Sequence, residues 1–92
     1  MCAFRAHGML GGAGQKTGHL DAKIRKLIAI AVAISLRCDG CIAVHTEAAR
    51  KLGATPEEIA EALGVAVSIN AGAAVVYSTR ALDAYATAAE TV

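Results

Sequence analysis

The run from Leu27 to Ile34 is apolar at every position and falls inside a helical frame. Ile24, Leu27, Ile28 and Ala31 recur at spacings of three and four, the period of an α-helix and not the alternation of a half-buried strand. A helix that is apolar all round offers no face to water, so it is buried within its own chain or against another. Every other element of the chain must therefore be able to pack around this one. Asp21 suits its start, because a carboxylate there lies in the positive field of the first turn, and the helix is read from Asp21 to about Leu36.

The remainder is written in the same period. A second helix is expected to begin close to Cys38, to run through Leu52 and to stop at Gly53, a residue suited to the left-handed position after a helix. Thr55-Pro56-Glu57-Glu58 is the clearest local signal: Thr55 caps, Pro56 fits the first helical position, and Glu58 completes a capping box. The helix that follows carries Ile59, Ala62, Leu63, Ala66 and Val67 on one face. Asn70-Ala71-Gly72 reads as a break, with a last helix from about Ala73 to Ala89. Ala3 to Leu10 is a weakly patterned short helix, and Gly11, Gly12, Gly14 and Gly18 mark a loop after it. The expectation is one all-α domain spanning residues 1–92, a bundle of about five helices.

Composition adds one further expectation. Of the 92 residues 55% are hydrophobic, 18% are charged and 3% are aromatic, with no Trp. Alanine is the commonest residue, and such small side chains fill little volume, so helices must approach closely. So much apolar surface on so small a body leaves some over for a partner, and a homo-oligomer is expected. The net charge of +1 comes from scattered Lys and Arg without interleaved aromatics, which argues against nucleic acid as the main partner. Met1 to Gly14 lacks the continuous apolar stretch of a secretory signal, and a cytoplasmic location is expected. The longest uncharged run, Ala62 to Thr79, reads as two buried segments meeting at the Asn70–Gly72 break, and no membrane partner is expected.

Chemistry concentrates on Cys38, Cys41 and His45. On a helix the three fall within an arc of roughly 60°, with His45 one turn beyond Cys41. An imidazole so placed can accept a thiol proton or stabilise the thiolate. The first turn of a helix lowers thiol pKa further, which makes Cys41 reactive near neutral pH. Cys38 can then attack the oxidised sulfur and close a disulfide. A single helical cysteine would read as a small buried hydrophobe. Two at this spacing with an in-register His, in a reducing compartment, read as redox-active or metal-binding. Zinc would need a fourth ligand, for which Cys2, His7 and His19 are the distant candidates, and none belongs to a ligand motif. No metal or cofactor is expected.

Leu20-Asp21-Ala22-Lys23, the helix Leu27 to Leu36, and Arg37-Cys38-Asp39-Gly40-Cys41-Ile42-Ala43-Val44-His45 resemble the alkylhydroperoxidase AhpD core of the carboxymuconolactone decarboxylase superfamily. Ala48-Ala49, Gly53 to Ile59 and Glu61 to Ala66 continue the likeness, which covers about residues 20–82. The resemblance implies an all-helical fold assembling as trimers or hexamers. It implies thiol-dependent reduction of hydroperoxides, with electrons returned by a dithiol or lipoylated protein. By position, Cys41 would be the peroxidatic cysteine, Cys38 the proton donor and resolving cysteine, and His45 part of the proton relay. Family members commonly carry a Glu twelve residues before the first cysteine, where this chain has Lys26 within Arg25-Lys26-Leu27. An ammonium cannot accept a proton as that carboxylate does, although facing the site it would favour a thiolate. Three functions therefore compete: an AhpD-like hydroperoxide reductase, a non-peroxidatic disulfide reductase or redox sensor, and a carboxymuconolactone decarboxylase-type lyase.

Overall fold

The computed structural model describes residues 2–90, with the side chains of Cys2 and Phe4 outside that description. Four α-helices follow one another: α1 (Cys2–Ala13), α2 (Ala22–Leu36), α3 (Asp39–Lys51) and α4 (Pro56–Glu90), with a single 3₁₀ turn at Gly14–Lys16 after α1. Among the described residues there is no strand, and the all-α expectation holds.

The caps read from the sequence are in place. The Asp21 carboxylate accepts from the Ile24 N–H at 2.8 Å and opens α2. At α4 the Glu58 N–H donates to Thr55 Oγ1 at 3.1 Å, and the Thr55 N–H donates to the Glu58 carboxylate at 2.9 Å, a reciprocal box that satisfies two otherwise orphaned donors. Gly53 takes φ +89° just beyond α3, the region glycine enters without steric cost. Glu58 also meets Lys23 Nζ at 2.8 Å, so the capping residue ties α4 to α2. Both side chains are about a third exposed, so this pair adds more to register than to stability.

The core is small. Ile30, Ala49 and Ala54 are buried together, and Leu27, Ile59 and Leu63 pack against them. Ile30 keeps 2% of its surface and Ala49 none, which puts α2 in the middle between α3 and the beginning of α4. The Ala side chain at 49 is what allows α3 to come this close.

Two expectations are corrected. The break at Asn70-Ala71-Gly72 does not exist: α4 is one continuous helix, and the bundle has four helices. Asn70 needs no turn, because its side-chain amide donates to the Ala66 carbonyl at 2.7 Å and to Ser35 Oγ at 2.8 Å. Gly11 and Gly12 likewise lie inside α1 and not in a loop, since each glycine in a helix costs only about 1 kcal/mol. From Val67 onward every described residue of α4 is exposed, with Val75 at 70%, Leu82 at 71% and Tyr85 at 78%. The radius of gyration is 18.3 Å, against about 12 Å for a compact chain of this length. By length and composition alone, α4 is also able to cross a membrane.

Candidate active site

The site forms where α2 hands over to α3. Arg37 ends α2 in the left-handed region, φ 57° and ψ 43°, a conformation costing a non-glycine residue on the order of 1 kcal/mol. Its N–H bonds the Ala33 and Ile34 carbonyls, and the Cys38 N–H bonds the Ala33 carbonyl at 3.0 Å. The chain is thereby reversed within two residues, and Cys38 becomes the N-cap of α3. Its extended backbone turns Sγ back onto the helix end, where it accepts from the Cys41 N–H at 3.3 Å. The cysteine sulfur thus does what an Asp or Ser oxygen usually does at this position.

Cys38 and Cys41 are joined as a disulfide, with Cα atoms 5.3 Å apart, well inside the reach of such a bond. Both sulfurs lie in the first turn of α3, where unpaired N–H groups favour negative charge. When the bond is reduced, that field stabilises a thiolate.

His45 follows one turn later on the same side. From α2, Lys26 extends Nζ to 3.4 Å from His45 Nδ1, at the long end of hydrogen-bonding range. An ammonium has only donors, so Nδ1 is the acceptor and the proton of the neutral ring sits on Nε2. The His45 pKa is held below its usual 6.5, first by burial, then by the positive charge of Lys26, then by His7. The ring is therefore kept neutral, with its one N–H on Nε2. In this state it is a hydrogen-bond donor to an anion and a poor base.

Cys38, Cys41, His45 and Lys26 line one cavity of about 380 Å³. Its long wall is apolar and comes from α2: Ile28, Ala29, Val32, Ala33 and Leu36. Arg25, also on α2, completes the lining together with Gln15 and Gly11. The three residues singled out from the sequence are brought together, and Lys26 joins them. In the sequence His7 stands only as a distant candidate zinc ligand, and Arg25 carries no signal for the site. Each depends on how residues 2–16 sit over α2, and no local pattern reports that. His19 lies in the exposed connection before α2. Among the described residues no group of three or more His, Cys, Asp or Glu is arranged to hold a metal ion. Cys2, a candidate fourth zinc ligand, has its side chain outside the described residues.

Comparison with known proteins bears on the same segment. An uncharacterized protein of Haemophilus influenzae is 51% identical over 82 residues, covering 89% of this chain and 73% of that protein. Uncharacterized protein 4 of the cox locus in Paracoccus denitrificans is 46% identical over 65 residues, covering 71% of this chain. A third, from Cupriavidus necator, is 37% identical over 70 residues, or 76% of this chain. The chain spans 59% and 62% of the length of the latter two. The profile of the carboxymuconolactone decarboxylase family matches residues 3–84, which takes in α2, α3, the cysteine pair and most of α4. The chain belongs to the carboxymuconolactone decarboxylase family.

Proposed function

We propose that the protein is a thiol-dependent oxidoreductase of the AhpD type, reducing hydroperoxides through Cys41 and Cys38. The observation that supports this most is the Cys38–Cys41 pair at the start of α3, bonded to one another and open to a cavity that also holds His45. In the cycle, the Cys41 thiolate attacks the terminal oxygen of the hydroperoxide. The O–O bond breaks, the leaving alkoxide takes up the proton that Cys41 lost on ionising and departs as the alcohol, and the sulfur, having given up two electrons, becomes a sulfenic acid. The Cys38 thiol attacks that sulfur, water leaves, and the disulfide closes. A dithiol or a lipoylated protein then returns two electrons and two protons.

His45, with its proton on Nε2, contributes by donating to the thiolate and to the departing oxygen. Lys26 keeps it in that form. A second reading, a disulfide reductase or redox sensor, is favoured by one observation: Lys26, in place of a carboxylate, leaves the site without a group to collect protons beyond His45.

The working unit in this proposal is a homo-oligomer of trimeric or hexameric kind in a reducing, cytoplasmic setting. The bare apolar side of α4 beyond Val67 is the surface a second copy would cover. The test is the rate at which one equivalent of an organic hydroperoxide oxidises the reduced protein. A rate well above that of free cysteine, with a Cys38–Cys41 disulfide as product and none in Cys41→Ser, supports the peroxidase. A rate equal to that of free cysteine transfers support to disulfide exchange.

A further inference from the structure

We propose that the cavity beside the cysteine pair is a binding site for small amphipathic carboxylates, the anionic group held by Lys26 and Arg25 and the apolar body laid along α2. The lining carries two cations, Lys26 and Arg25, together with His45, and it contains no Asp or Glu. Lys23 pairs with Glu58, and Arg50 and Lys51 share Glu47, while Arg5, Lys16, Arg37 and Arg80 meet no carboxylate among the described residues but lie exposed to water. Lys26 and Arg25 have no such partner among the described residues. Lys26 reaches only His45, and Arg25 reaches the Gly11 carbonyl at 3.4 Å.

Both side chains are only partly exposed, so each has given up some water without gaining an opposite charge. A half-desolvated cation in an apolar setting is stabilised by any anion that completes its hydrogen bonds, and such charge-assisted bonds are about twice as strong as neutral ones. Burial first and then the positive charge of Lys26 hold the His45 pKa down, so the ring feels the same uncompensated charge.

The apolar wall defines the rest of the ligand. Ile28 and Val32 are about half exposed and Leu36 is 74% exposed, all on the side of α2 that faces the cavity and not the core. At about 380 Å³ the space lies near the small end of the roughly 300–1,000 Å³ usual for ligand pockets. That size fits a small molecule with a short chain or ring bearing a carboxylate. The disulfide is at the same cavity, so a substrate anchored this way presents its remaining atoms to Cys41. This last step rests on the proposed peroxidase reading, and it selects hydroperoxides that carry a carboxylate over neutral ones. The binding itself does not depend on that reading.

The two are tested separately. Binding of octanoate and of its neutral isostere octanamide to the oxidised full-length protein is followed by calorimetry and by NMR shifts of the Lys26, Arg25 and His45 side chains. Octanoate is expected to bind at least about tenfold more tightly, the worth of one charge-assisted hydrogen bond, and to weaken as salt is raised. Lys26→Gln should erase the preference, Lys26→Arg should keep most of it, and Arg25→Gln should reduce it. Equal binding of the two probes, no binding of octanoate, or an unchanged preference in folded Lys26→Gln would overturn the proposal. The kinetic arm compares a carboxylate-bearing hydroperoxide with its methyl ester. Absence of any peroxide reaction with octanoate still bound overturns the peroxidase alone, whereas fast reaction with both peroxides and no octanoate binding overturns this site alone.

Discussion

Residues 59–66 and 67–90 of α4 are built from the same small apolar side chains, yet only the first stretch finds cover. Ile59 and Leu63 pack against Ile30 and Ala49, and Ala66 is buried. Beyond them, side chains such as Val75, Val76 and Leu82 face no other element of the chain. Composition does not decide burial here. What decides it is whether another helix lies opposite: α2 is long enough to back α4 as far as Asn70, whose amide reaches Ser35, and among the described residues no element covers the side chains beyond it. The chain therefore divides into a self-sufficient end that holds the candidate site and an exposed end that, on the proposed reading, a second copy would shield.

The largest expected effect breaks the self-sufficient end. Ile30→Ala removes a side chain that is 98% enclosed, and such deletions cost about 2–5 kcal/mol, a large fraction of the stability of so small a domain. Urea denaturation should show the loss at any protein concentration. Val76→Ala is the counterpart at the other end. The side chain touches no other element, so any loss should appear only through assembly and should shrink as protein concentration rises. A concentration-independent loss at Val76 would erase the distinction between the two ends.

The next effect is read in mass rather than stability. Paired substitutions Val76→Asp and Leu82→Asp put charge on the uncovered side and should reduce the sedimenting species to single chains, leaving the Cys38–Cys41 disulfide able to form. Partitioning of the unmodified protein into lipid vesicles, with no self-association in detergent-free buffer, would instead give α4 to a membrane. That outcome is worth testing because α4 has the length and apolarity to span one.

The same contrast explains what the sequence could and could not reveal. Signals confined to one turn were legible: Asp21, Thr55 with Glu58, and Gly53 do locally what their chemistry allows. The clustering of Cys38, Cys41 and His45 followed from helix spacing alone. The false break at Asn70 arose because a side chain that can end a helix can also bond its own preceding turn, and Ser35 from α2 supplies the other partner. Whether Lys26 faces the cysteines was equally beyond a one-dimensional reading, since it depends on the angle between α2 and α3. His7 acts on His45 across still more of the chain.

A smaller effect tests the junction between the two ends. Thr55→Ala removes the hydroxyl that accepts from the Glu58 N–H and should cost about 1 kcal/mol, the usual worth of such a cap. Because α4 begins here and packs on α2 within its first three turns, the loss should be felt throughout the core. An unchanged midpoint would mean that burial at Ile59 and Leu63 sets the start of α4 without help from the box.

The smallest expected effect is a titration, and its sign is fixed by the arrangement at His45. Burial, Lys26 and His7, in that order, hold its pKa below 6.5 in the folded chain. Between that lowered value and 6.5 the unfolded chain carries the extra proton, so stability rises with pH across this window. The contribution is complete above 6.5 and is lost as pH falls through the folded value. Lys26→Gln removes the second cause and leaves the first, so the NMR midpoint of the His45 ring should rise only part of the way towards 6.5. Lys26→Glu adds an attraction and should carry it further, while His7→Gln should move it least. A midpoint that does not respond to Lys26→Gln would mean that the ammonium does not govern the ring. Nε2 would then be free to act as the base that a carboxylate relay requires.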